Sequence, residues 1–281
     1  MKNILITGVS SGIGYATATE LLDKGFFVFG SVRSSEDAQR LEKNFGSNFK
    51  ALLFDVREGE AIAAAFKVVK EMVGSQGLHG LVNNAGMAIT GPLLHLEINE
   101  FEKQMAINLT GVLKVIQAFA PLLGASLSSP FPPGRIINIS SVAGKITTPF
   151  MVPYAASKHA LESLSDGLRR ELSIYNIKVI LIEPGPIKTE IWKKVINEKK
   201  DYGHTDYANI LNNMEAQVQK SAANAIPAER VAKLIHRALI LNRPKLRYLI
   251  APNQFFISLA TLLPHRVLDF FIFKQLKKAL S

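Results

Sequence analysis

Short apolar runs recur along the chain, separated by longer stretches in which apolar positions return every three or four residues. The runs Asn3–Thr7, Phe26–Val32, Phe49–Asp55, Gly80–Asn83, Arg135–Ser140, Lys178–Glu183 and Arg247–Ile250 predict strands. Ile13–Leu22, Ala61–Val73, Phe101–Leu123 and Tyr154–Ile174 carry the helical period. The strand segments are nearly continuous rather than alternating, as in Arg135-Ile136-Ile137-Asn138-Ile139. Strands buried on both faces read this way. Alternation of strand and helix therefore predicts an α/β fold, one doubly wound parallel sheet of about seven strands with helices on both faces. Its ligand crevice should lie at the carboxyl ends of the strands.

No internal repeat interrupts this pattern, so residues 1–281 read as one domain. Leu127-Ser128-Ser129-Pro130-Phe131-Pro132-Pro133-Gly134 is a loop between a helix and the next strand, not a boundary. Residues 187–226 lose the alternation and read as a lid inserted over the crevice, carrying Ile191, Trp192, Val195, Tyr202 and Tyr207. Residues 254–281 read as a helical C-terminal extension with Arg266, Lys274, Lys277 and Lys278 among bulky apolar residues. Such a tail fits a pair of membrane-surface helices. It also fits an element that closes the pocket or joins subunits, and we favour this second reading because apolar residues occupy several faces of the last helix.

Composition narrows the class. The formal charge is +10, but the basic residues are dispersed and no nucleic-acid motif is visible. A merely basic surface is the preferred account, with no nucleic-acid partner expected. No run of about 18 apolar residues predicts a transmembrane helix. The first residues enter a strand directly, with nothing resembling a secretory signal. The chain has no cysteine, which excludes disulfides, thiolate metal sites and cysteine nucleophiles. A cytoplasmic location is expected. His79, His95, His159, His204, His236 and His265 are scattered without metal-ligand spacing, so no metal site is expected.

Two constellations carry chemistry. Thr7-Gly8-Val9-Ser10-Ser11-Gly12-Ile13-Gly14 falls between the first strand and the first helix. Gly8 permits a tight turn, Gly12 lets the backbone approach a pyrophosphate, and Gly14 allows close helix–strand packing, with the helix N-terminus facing the phosphates. Gly8-Val9-Ser10-Ser11-Gly12 also matches the G-x-S-x-G elbow of hydrolases. A Ser10 esterase with His159 or His236 as base is thus a rival reading, disfavoured because only one strand precedes the serine. The second constellation is Tyr154 and Lys158, one helical turn apart on one face. A neighbouring cation favours the phenolate, so the spacing leads us to expect a phenol more acidic than usual. Such a tyrosine serves as acid and base in carbonyl and alcohol chemistry.

Together with Asn83-Asn84-Ala85-Gly86, Ser141 and Pro184-Gly185, these motifs occur in the order of the short-chain dehydrogenase/reductase family. The chain resembles that family over roughly residues 2–190, and its branch of 17β-hydroxysteroid and retinol dehydrogenases in particular. The resemblance implies a Rossmann-type fold and a catalytic tetrad of Asn108, Ser141, Tyr154 and Lys158. Tyr154 would deliver the proton while Ser141 binds the carbonyl oxygen. Lys158 would hold ribose hydroxyls, and Asn108 would fix a water reaching Lys158. For the dinucleotide it implies contacts from Gly8, Ser10, Ser11, Gly12, Ile13 and Gly14, from Asp55 and Val56, and from Asn83, Ala85 and Gly86. Pro184, Gly185, Ile187 and Thr189 would meet the nicotinamide side.

Charge then selects the dinucleotide. Where an acid would bind a ribose 2′-hydroxyl stands Val32, followed by Arg33, which attracts a 2′-phosphate; Ser11 adds a hydroxyl. Glu36 and Asp37 should instead start the next helix. NADP(H) is therefore expected in preference to NAD(H). The substrate would be a small carbonyl or alcohol of steroid-, retinoid- or lipid-like character, lined by Met87, Val142 and Phe150. The family also implies a homodimer built partly from the Tyr154 helix. A dinucleotide-sensing scaffold without catalysis is the remaining alternative, disfavoured by the complete tetrad.

Overall fold

In the computed structural model, residues 1–189, 202–211, 213 and 224–280 are described. All seven expected strands form and lie in one parallel sheet. They are β1 (Asn3–Ile6), β2 (Phe27–Val32), β3 (Phe49–Leu53), β4 (Gly80–Asn83), β5 (Arg135–Ile139), β6 (Lys178–Pro184) and, last in the chain, β9 (Arg247–Ile250). A separate parallel pair is made by β7 (Ile187–Lys188) and β8 (Ile226–Pro227). The large sheet runs β3-β2-β1-β4-β5-β6-β9. Leu5 of β1 pairs with Phe29 on one side and Leu81 on the other, so the winding reverses between β1 and β4. A crevice must open there, because the following connections leave toward opposite faces.

Both faces of the sheet are apolar, and each is covered by helices. Ile4, Ile6, Ile137 and Ile139 face α1 (Gly12–Asp23), α2 (Ser35–Phe45) and α7 (Ala228–Ile240). Leu5, Leu81 and Ile136 face α3 (Gly59–Val73), α5 (Gly111–Phe119) and α6 (Val152–Glu171). The five inner strands bury nearly every side chain, which is why their sequences do not alternate; the edge strands β3 and β9 are only partly covered. α4 (Ile98–Met105) continues through a π-helical turn, Ala106–Thr110, into α5. This continuous helix, Ile98–Leu123, is long and apolar enough to cross a membrane by length and composition alone. Its apolar residues Ile107, Val112, Ile116 and Phe119 are those packed in the core.

α2 is the helix that Glu36 and Asp37 were expected to start; it fully buries only Leu41, with Ala38 and Phe45 of the same short stripe packed partly buried against the core. The helix α7 was not foreseen. α7 buries Val231, Ala232, Ile235, Ala238 and Leu239, a clear helical stripe that lies against α1. Beyond β9 the chain forms α8 (Gln254–Ala260) and α9 (His265–Leu280), the expected helical extension.

Three polar side chains cross the α6 face of the sheet. Asn83 Nδ2 donates to Asn138 Oδ1 at 2.8 Å, and Asn138 Nδ2 donates to Ser165 Oγ at 2.8 Å. Ser165 Oγ in turn donates to Leu161 O. The Asn138→Ala substitution orphans groups at both ends of this ladder, each costing about 1–3 kcal/mol when left buried. Denaturant unfolding should therefore show a loss of about 2–4 kcal/mol with an unchanged slope. A loss below about 0.5 kcal/mol would remove the ladder from the account of sheet stability.

Candidate active site

One cavity of about 880 Å³ lies over the crevice. That is near the upper end of the range usual for small-molecule sites, about 300–1,000 Å³. Its lower wall is the turn between β1 and α1. Gly8 has φ +71°, and a Cβ on Gly14 would collide with the Gly8 carbonyl and Asn84 Nδ2. Helix and strand thus meet as closely as glycine allows, bringing the α1 N-terminus to the cavity floor beside Ser10, Ser11, Gly12 and Ile13. Ser11 caps α1 by backbone geometry while its hydroxyl makes no capping bond.

Residues the sequence reading passed over hold this turn. Thr7 Oγ1 accepts from the amides of Asn84 (3.0 Å) and Ala85 (2.9 Å). Asn84 Nδ2 donates to the carbonyls of Thr7 (2.9 Å) and Gly8 (2.8 Å), and Ser31 Oγ accepts from Gly8 N at 2.9 Å. Thr7 and Asn84 adjoin the recognised motifs, so their positions were visible although their roles were not. Ala85 and Gly86 line the cavity as expected. Asn83 braces the sheet from beneath in the Asn138 ladder and is not among the residues lining the cavity. Its register on β4 turns it toward α6, as it does Leu81.

Arg33 stands exposed at the far end of the cavity, next to Val32. Asp37 is the third residue of α2, where its amide donates to the Ser34 hydroxyl at 3.2 Å and its carboxylate pairs with Arg40. Arg40 also donates to the Ser10 carbonyl at 3.1 Å. Asp55 and Val56 line the cavity as well. Both Asp55 oxygens are taken by Arg57, at 3.0 and 2.9 Å. Arg57, with Arg33 adding a smaller pull, holds the Asp55 carboxyl below the usual carboxylate range.

At the other end lie Ser141, Tyr154 and Lys158. Ser141 follows β5, accepts from Ala143 N at 3.1 Å and donates to the Pro184 carbonyl at 3.3 Å, with its hydroxyl beside the phenol of Tyr154. Lys158 is buried, donates to the Ile139 carbonyl at 2.8 Å, and stands 5.7 Å from the centre of the Tyr154 ring. The expected acid phenol is corrected. Burial pushes Tyr154 above its ordinary value, and the Ser141 bond draws it only partly back. It is the lysine that moves downward: burial brings it to about 8, with Glu162 opposing. A helical turn sets which side chains are neighbours, but the loss of water around them sets the sign.

Asn108 stands in the π turn of the long helix and is fully buried. Its Nδ2 donates to Met87 O and to Ser157 Oγ, both at 3.0 Å, and its Oδ1 accepts from Met87 N at 3.0 Å. Its side-chain amide thus joins α6 to the loop after β4.

Pro184, Gly185, Ile187 and Thr189 line the upper wall, with Thr189 facing Gly12. Met87 and Val142 also line the cavity. Phe150 does not; it packs beneath Ile210, Tyr207 and Leu276. Tyr207 stacks edge-on against Phe150 and His95, and Tyr202 approaches Gly91, so both fasten the described part of the lid to its surroundings. Ile191, Trp192 and Val195 lie outside the described residues. Ile272, Gln275 and Leu276 of α9 complete the wall. The hydrolase reading fails, because no histidine lines the cavity. His159 bonds the Ala155 carbonyl and His236 faces Glu20.

The family model described as short chain dehydrogenase matches residues 2–200. The chain is 42% identical over 279 residues to an NADPH-dependent 3-dehydrocapnine reductase of Ornithobacterium rhinotracheale, covering 99% of this chain and 98% of that protein. It is 34% identical over 262 residues to human retinol dehydrogenase 16, covering 88% and 80%. A solved structure of ElxO with NADP bound superposes with a TM-score of 0.72 at 26% identity, covering 92% of this chain and 99% of that one.

Lys158 makes the site's cost measurable. Below about pH 8 both folded and unfolded states carry the ammonium, and its burial weighs fully against folding. Between about 8 and the ordinary lysine value of 10.5 the unfolded state binds more protons, so stability rises with pH. Lys158→Met should therefore be more stable than the parent at pH 7, by about 2–3 kcal/mol, with the difference shrinking toward pH 10 in chemical unfolding. An unchanging difference would place the titration elsewhere.

Proposed function

The chain belongs to the short-chain dehydrogenase family and is an oxidoreductase; we propose that it reduces a ketone or aldehyde on a steroid-, retinoid- or lipid-like molecule, using NADPH. The observation that carries this reading is the convergence of Ser141, Tyr154 and Lys158 on one cavity whose opposite end is the α1 N-terminus and Arg33. The glycine turn leaves backbone room for a pyrophosphate, and the uncapped Ser11 hydroxyl adds a donor beside it. Arg33 supplies a guanidinium for a 2′-phosphate, while Arg40 pairs with Asp37 and Arg57 with Asp55, offsetting two nearby carboxylates. The relative named as an NADPH-dependent reductase supports both the dinucleotide and the direction. A cytoplasmic setting fits a consumer of that dinucleotide.

When bound, the dinucleotide supplies the hydride; the remaining work belongs to the chain. Ser141 donates a hydrogen bond to the carbonyl oxygen, and Tyr154 passes it the phenolic proton as negative charge grows there. A phenol held above its ordinary value keeps that proton until the oxygen needs it. The Lys158 ammonium, within cation–π range of the ring, offsets the charge left on the phenol oxygen. Asn108 fixes α6, and with it Tyr154, through Ser157, whose hydroxyl donates to the Tyr154 carbonyl. On the substrate side Met87, Val142, Ile210, Ile272 and Leu276 present apolar surface.

An NADPH-oxidation assay across 3-dehydrocapnine, retinal and ketosteroids tests the proposal. Tyr154→Phe should lower kcat by about 10²–10⁴-fold, the usual worth of a positioned acid, while NADPH binding stays nearly unchanged. Arg33→Ala should raise the KM for NADPH about tenfold or more and leave that for NADH little altered. Full turnover by Tyr154→Phe removes the proton-donor role, and equal effects on both dinucleotides remove the preference.

A further inference from the structure

Eleven of the sixteen phenylalanines precede α8, and every one of them is buried or half-buried. The other five, Phe255, Phe256, Phe270, Phe271 and Phe273, all lie in the C-terminal hairpin of α8 and α9, and all are exposed, from 53% to 74%. Leu259 and Leu262 in the same segment are exposed too, Leu262 at 80%. Large apolar side chains left exposed together in one segment mark a contact site.

The hairpin already uses its inner side. Leu268, Ile272 and Leu276, spaced four residues apart, are its half-buried stripe on α9. Ile272 and Leu276 wall the reaction cavity, and Leu276 packs with Phe150 and Ile210. What remains outward is aromatic residues interleaved with Arg266, Lys274, Lys277 and Lys278, against the single acid Asp269. A second copy docked through this face about a two-fold axis would bring like charges together. An anionic lipid surface complements them, accepting phenyl rings at the acyl boundary while the lysine stems reach back to phosphates. α9 has 16 residues, short of the roughly 20 needed to span, and its cations exclude a spanning arrangement.

We propose that the α8–α9 hairpin seats the protein on an anionic membrane surface, with the mouth of the reaction cavity turned toward the lipid. The proposal keeps pocket closure, sets aside the subunit contact favoured from the sequence, and gives each face of α9 its own role: one closes the pocket, and the other docks. The docking stands independently of the reaction; only delivery of an apolar substrate from the bilayer rests on the proposed function.

Flotation of the full-length protein with vesicles tests the docking. Vesicles of equal parts phosphatidylglycerol and phosphatidylcholine should carry it, pure phosphatidylcholine vesicles should carry far less, and high salt should weaken the association. The triple variant F270S/F271S/F273S and the double variant K274E/K277E should each lower partition on the anionic vesicles about tenfold or more. Unchanged thermal melting and NADPH binding in these variants show that the fold survives. If the parent does not float, or K274E/K277E floats as the parent does, the proposal is overturned. It is equally overturned if light scattering shows a dimer that F270S/F271S/F273S dissolves while vesicles bind neither form, which would assign the face to a second copy.

Discussion

The Lys158 ammonium can persist beneath the cavity floor only if its surroundings replace the water it has lost. The Ile139 carbonyl takes one of its hydrogens, and the Tyr154 ring offers its negative face. Glu162, one turn further along α6, supplies the opposing charge. That carboxylate is itself buried and needs partners, which come from distant parts of the chain. Lys145, after β5, reaches Glu162 at 2.9 Å, and Arg247 of β9 reaches it at 3.0 Å. The same two cations approach Glu183 of β6, at 3.6 and 3.3 Å, and Arg247 also pairs with Asp166 at 2.9 Å. Burial and the neighbouring Glu162 push the Glu183 carboxyl upward, so the two acids strain against each other between the cations. Buried pairs of this kind seldom add net stability. Here they fix the catalytic helix to the loop after β5, to β6 and to the sheet's last strand, and so fix where Lys158 and Tyr154 stand.

A second constraint acts from the opposite side of α6. The π turn at Ala106–Thr110 widens the long helix at the point where Asn108 must reach both Met87 and Ser157. A regular helix presents its side chains at fixed angles, and one inserted residue re-aims them. The loop after β4 is thereby clamped between Asn108 and Gln104, whose Nε2 donates to Met87 O and whose Oε1 accepts from Ile89 N. That loop begins with Asn84-Ala85-Gly86, already held to the glycine turn through Thr7. The two ends of the cavity are therefore not independent: a hydrogen-bonded path runs from the β1 turn through the β4 loop to the catalytic helix.

Much of this was legible in the residues because strands buried on both sides must be apolar throughout. Ile136, Ile137 and Ile139 announce β5 in any context. The glycine turn, Ser141, Tyr154 and Lys158 were legible for a related reason: each must occupy one position relative to a strand end or helix turn. Illegible features depended on contacts remote in sequence. Glu162 and Arg247 are 85 residues apart, and nothing local marks them as partners. The phenol's direction of shift depended on burial, which neighbours on a helix do not report. Asn83 and Asn84 are adjacent amides, but the strand's pleat sends one into the Asn138 ladder and the other to the Gly8 carbonyl. α2 carries only the short stripe Ala38, Leu41 and Phe45, and the acids Glu36 and Asp37 marked its start but not its end. α7 carries the apolar period in full, beyond the segment where strand and helix cease to alternate.

The placement of α9 joins the fold's two unlike surfaces. Its Ile272 and Leu276 are wall residues of the reaction cavity, while Phe270, Phe271 and Phe273, on the same few turns, face outward. Residues this close on one helix move together, because a helix shifts as a rigid unit. Whatever covers the outward rings therefore also positions the wall. Among the described residues α9 meets Ile210 of the lid and Phe150 before α6 through Leu276. The wall at the reacting end and the outward rings are thus two faces of one rigid element, and access to the cavity is coupled to whatever those rings contact.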